Sequence, residues 1–70
     1  MVDKEILGIQ PAILKFFAYQ HLPENLQAIS KPFHDLAHAV VATTAPGAEQ
    51  SAGLRKLLEA KDCFVRAALP

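Results

Sequence analysis

His34 and His38 stand four residues apart, a spacing that sets two imidazoles on one face of a helix and lets them share a metal ion. Asp35 only loosely imitates the glutamate that a zinc-protease helix places beside its first histidine. A third ligand is not obvious, since Cys63 belongs to a different segment. The pair therefore reads as two solvated histidines, and no metal site is expected. Cys63 beside Phe64 reads as a small core residue, because no base stands near it to activate a thiolate. Glu59 and Asp62 share a helix face, but Arg55 and Arg66 flank them at i,i+4 spacing and should pair with them. Cationic neighbours keep carboxylates ionised, which opposes general acid work. Gly8, Gly47 and Gly53 are too scattered to cradle a phosphate. These residues predict no enzyme and no cofactor.

The stretch from Phe17 to Gln27 is different in kind. Two aromatics at spacing two, Phe17 and Tyr19, precede His21 and a proline-opened helix carrying Asn25, Gln27, Ser30 and Lys31. Tyr19 can stack on a nucleobase, and the free N–H groups of a helix start can meet a phosphate. The same two aromatics can equally serve to tuck the N-terminal segment onto the rest of the fold. Both readings stand at this level.

Three elements must position these residues. Residues 11–18 suit a short helix with Pro11 in its first turn. Pro23 and Glu24 suit the start of a second, in which Leu26, Ile29, Phe33, Leu36 and Val40 recur at steps of 3, 4, 3 and 4. That is a narrow apolar seam of coiled-coil type. Pro32 falls inside it, so the helix either stops near Ser30 and restarts or runs through with a kink. The seam keeps its phase across Pro32, which favours one helix over about 23–44, ended by Thr43, Thr44, Pro46 and Gly47. Residues 48–69 carry Leu54, Leu57, Leu58, Phe64, Val65, Ala68 and Leu69 at helical spacing. A short loop between two long helices makes them antiparallel. The expected fold is all-α: an N-terminal tail over 1–10, a short helix over 11–18, and a helical hairpin, in one domain.

A chain of 70 residues, 51% apolar and 20% charged, is composed like a folded soluble domain. It is too short to bury a large core, and its single cysteine excludes an internal disulfide. Homo-oligomerisation is the remaining source of stability. Seven basic residues balance seven acidic ones, which argues against a coat for polymeric nucleic acid. No apolar run reaches the roughly 18 residues that would span a bilayer, so no membrane partner is expected. Met1-Val2-Asp3-Lys4-Glu5 lacks a signal-peptide pattern, and the expected location is the cytoplasm.

Phe17-x-Tyr19-x-His21-x-Pro23, then Gln27 and Ser30, a Pro-rich turn, and Leu54-Arg55-Lys56-Leu57-Leu58-Glu59-Ala60-Lys61-Asp62 together resemble the phage anti-CBASS cyclic-oligonucleotide sponges. The resemblance covers residues 16 to 69 and combines the aromatic–proline connector with the second helix core. It implies small helical hairpins assembled as homohexamers in the cytoplasm of the infected bacterial host. They would bind cyclic dinucleotides and cyclic trinucleotides and sequester these messengers uncut, so that CBASS effectors stay off. The family tyrosine that stacks on a base matches Tyr19. A lysine after the helix-opening proline in some members has Asn25 as its nearest match, with Lys31 supplying charge from another direction and Arg66 the last cation. The ligand-binding set so expected is Phe17, Tyr19, His21, Asn25, Gln27, Ser30, Lys31 and Arg66. The rival reading is a helical-hairpin scaffold that mediates only protein–protein packing.

Overall fold

The computed structural model describes residues 11–69, and the expected tail over 1–10 lies outside them. Within that span the chain is all-helical: a 3₁₀ helix, η1 (Ala12–Phe17), and two α-helices, α1 (Glu24–Thr43) and α2 (Ala48–Ala67). The two long helices form a hairpin, and η1 packs against both.

The first element is tighter than the expected helix. Pro11 sits just outside it as the N-cap, and the Leu14 N–H donates to the Pro11 carbonyl at 3.0 Å, an i→i+3 bond. Three residues per turn put side chains at i and i+3 directly in line. Leu14 and Phe17 therefore share one edge, and both are buried while Lys15 and Phe16 face water.

Pro23 is likewise the N-cap of α1, not its first helical residue, and its carbonyl accepts from the Leu26 and Gln27 N–H groups, each at 2.9 Å. The helix runs through Pro32 without a break. Proline leaves the Ala28 carbonyl without its i+4 donor, but both Ala28 and Pro32 are exposed, so water can meet that oxygen. At the far end Thr43 Oγ1 donates to the Ala39 carbonyl at 3.0 Å, and the Thr44 N–H to that of Val40 at 3.0 Å. Gln50 Nε2 reaches back from α2 to Thr44 Oγ1 at 3.0 Å, tying the loop shut. Gly47 takes φ +153°, a conformation open to glycine and costly for other residues, and its carbonyl accepts from Ser51.

The core is small. Leu14, Phe17, Ala37 and Leu54 are its buried apolar members, with Phe33, Val40, Leu57 and others packed against them in part. The expected seam does not form its centre. Leu26, Ile29, Phe33 and Val40 are half-buried and Leu36 is exposed, whereas the fully buried residues of α1 are Ser30 and Ala37. These are small side chains seven residues apart, and burying that line lets η1 approach closely.

Charge placement also departs from the sequence reading. Arg55 and Glu59 form no ion pair among the described residues, nor do Asp62 and Arg66. The Asp62 carboxylate lies 4.0 Å from Lys61 Nζ, and the Arg66 guanidinium turns to Cys63 Sγ at 3.5 Å. Exposed pairs gain little over hydration, so helical spacing alone does not enforce them. Cys63 is exposed, not a core residue: it stands two residues, about 200° around the helix, past the buried Lys61. No helix of the described residues is long and apolar enough to cross a membrane.

Candidate ligand-binding site

The connector between η1 and α1 is a closed turn. The Leu22 N–H donates to the Tyr19 carbonyl at 3.0 Å. Gln27, one turn into α1, aims its amide back and donates from Nε2 to the Leu22 carbonyl at 2.8 Å and to that of Gln20 at 3.4 Å. Gln27 thus braces the connector.

That turn lays Tyr19 across one face of α1. Its ring meets His34 edge-on, with centroids 5.0 Å apart and planes at 69°. Lys31 Nζ stands 6.0 Å from the tyrosine centroid. One turn further, the His34 and His38 rings are 4.4 Å apart. Asp35 links the group: Oδ2 accepts from Lys31 Nζ at 2.8 Å and Oδ1 from His34 Nδ1 at 2.9 Å. Lys31, His34, Asp35 and His38 therefore form one continuous stripe at helical spacing, with an aromatic ring laid over its start.

The electrostatics follow from these contacts. The Lys31 hydrogen bond, and then that from His34, hold the Asp35 carboxyl below its usual range. The same carboxylate holds the Lys31 ammonium above its own. Both side chains are about half exposed. The surface beside Tyr19 therefore presents cationic and N–H donor groups with one carboxylate already engaged, next to an aromatic face. Such a surface suits a flat base that carries an anionic group.

Of the residues expected to bind ligand, Tyr19 and Lys31 come together. Phe17 does not join them: it is fully buried, under Lys61, whose Nζ donates to the Phe16 carbonyl and stands 5.8 Å from the Phe17 centroid. The tucking role belongs to Phe17 and the exposed-face role to Tyr19. Ser30 is also buried, with its Oγ making no hydrogen bond. His21 and Asn25 are exposed on the connector and first turn of α1, and Arg66 lies in the last turn of α2. His34 was expected to be solvated but is half-buried against Tyr19. Its position three residues after Lys31 was the available signal, and it needed the path of the connector to become meaningful.

No protein-family model, curated protein or solved structure matches the chain.

Proposed function

We propose that this protein is a non-catalytic sponge that binds cyclic di- and trinucleotide second messengers and so blocks CBASS anti-phage immunity. The observation that carries the reading is the partly buried Tyr19 ring, held edge-on by His34 with the Lys31 ammonium beside it. An aromatic platform with a neighbouring cation takes a base by stacking and its phosphate by charge. The order of the aromatic–proline connector and the Leu54–Asp62 helix core adds the resemblance to the sponge family. Sequestration would be stoichiometric, one messenger per filled site, with the phosphodiesters intact. Self-assembly, as a hexamer in that family, would complete pockets between copies.

A scaffold reading has one observation in its favour: Phe64, Leu36 and Leu69 are about half exposed, as packing surfaces between chains require. Calorimetric titration with cyclic dinucleotides and trinucleotides separates the two. A sponge gives saturable heat, and Tyr19→Ala lowers affinity by roughly 5- to 150-fold, the worth of one base–aromatic stack. The ligand recovered after denaturation should be uncleaved. An absence of heat with every cyclic nucleotide would leave the scaffold.

A further inference from the structure

The messenger reading uses His34 only as the edge that holds Tyr19, and leaves its pairing with His38 without a role. Two imidazoles bound cis to one ion at an angle of roughly 90°, with metal–nitrogen bonds of about 2.0–2.1 Å, place their ring centroids about 4.5 Å apart. The His34 and His38 centroids are 4.4 Å apart, with planes inclined at 44°. A second observation concerns the proton. Asp35 is an acceptor at neutral pH, so the 2.9 Å contact between its Oδ1 and His34 Nδ1 assigns the hydrogen to Nδ1. In that tautomer the imidazole lone pair lies on Nε2. A carboxylate on the far nitrogen of a histidine is also the usual support of a metal-bound imidazole, fixing its tautomer and raising its basicity. Lys31 stands nearby, but its charge is opposed by Asp35 at 2.8 Å.

We propose that His34 and His38 form a bidentate site for a borderline divalent transition ion of the nickel or copper class, oriented by Asp35. Imidazole nitrogen selects such ions over magnesium and calcium, which prefer oxygen. No group of three or more histidine, cysteine, aspartate or glutamate side chains suited to a metal exists among the described residues. The site is therefore open, with its other positions left to water or to an anionic oxygen. It stands independently of messenger binding and is tested without nucleotide.

The probe is Ni2+ alone, added at neutral pH to the whole protein while the histidine ring signals are followed by NMR. Paramagnetic Ni2+ should broaden His34 and His38 together, at concentrations well below those that affect His21, the internal control for a lone exposed imidazole. His38→Ala removes an exposed side chain, and its fold is checked by circular dichroism. It should raise the Ni2+ midpoint at His34 about tenfold or more, because the second ligand in a chelate binds intramolecularly. Parallel broadening of all three histidines, or an unchanged His34 midpoint in His38→Ala, would overturn the proposal.

Discussion

Ser30 shows how a single atom can separate packing from recognition. Its hydroxyl is fully buried and bonded to nothing, so the fold carries the desolvation cost of that group. Replacing Ser30 by Ala removes the oxygen with almost no change of shape and should stabilise the protein by about 1 kcal/mol. Thermal or urea unfolding of the two proteins measures this, and a loss of stability would reveal a partner for the hydroxyl. Asp35 makes a second residue-level prediction. Its carboxyl is depressed in the fold, so its favourable contribution is present above the unfolded pKa and is lost as pH falls through the folded one. Lys31 is raised, so its contribution is present below its unfolded pKa and is lost as pH rises through the folded one. The pair thus acts across the neutral range and fades in acid and in strong base. In Lys31→Met, the Asp35 midpoint followed by carboxyl NMR should move up toward the ordinary carboxylate range. A midpoint that stays put would assign the shift to His34.

At the scale of elements, the hairpin depends on a loop with one demanding position. Gly47 has φ +153°, although a Cβ there would meet nothing within 4 Å. The penalty for a side chain is thus in the backbone and not in a clash. Gly47→Ala should cost about 1–3 kcal/mol, read as a lowered denaturant midpoint with an unchanged slope. If stability is unaltered, the loop adopts another conformation at no cost. The boundaries of α1 and α2 were largely readable from Pro23, Glu24, Pro46 and Gly47, because proline and glycine act through local geometry. The unbroken phase of the apolar steps favoured passage through Pro32 without deciding between a kink and a break, and the fold shows a single helix. The 3₁₀ geometry of η1 was not, since a six-residue segment gives no periodicity that separates three from 3.6 residues per turn.

At the scale of the molecule, four buried apolar side chains among the described residues make a thin core for a hairpin with one short helix laid across it. On its other sides Ile29, Phe33 and Phe64 line an open apolar groove, and the Phe33 and Phe64 rings stack at 5.9 Å in partial contact with water. Such surface is expected to be covered by further copies. Light scattering behind size exclusion should give a homo-oligomer, a hexamer if the family assembly applies, and Phe64→Glu should shift the population toward smaller species. A stable 7.6 kDa monomer at micromolar concentration would refute assembly and the shared pockets with it.

Local chemistry was enough to specify an all-helical chain, the order of its elements and the prominence of the connector around Tyr19. Those features rest on periodicity, proline and glycine, whose effects extend only a few residues along the chain. Which aromatic faces the core and which faces outward was beyond such reasoning, since Phe17 and Tyr19 are near neighbours of similar character. Only the seating of η1 on both long helices decided it, by burying Leu14 and Phe17 on one edge and leaving Tyr19 to the turn that Gln27 closes. The same placement put Tyr19 over His34, fifteen positions away in the chain but with ring centroids only 5.0 Å apart, and so brought a helix-face histidine into the candidate site. A contact between segments depends on the path of the chain between them, and that path is a property of the packed molecule.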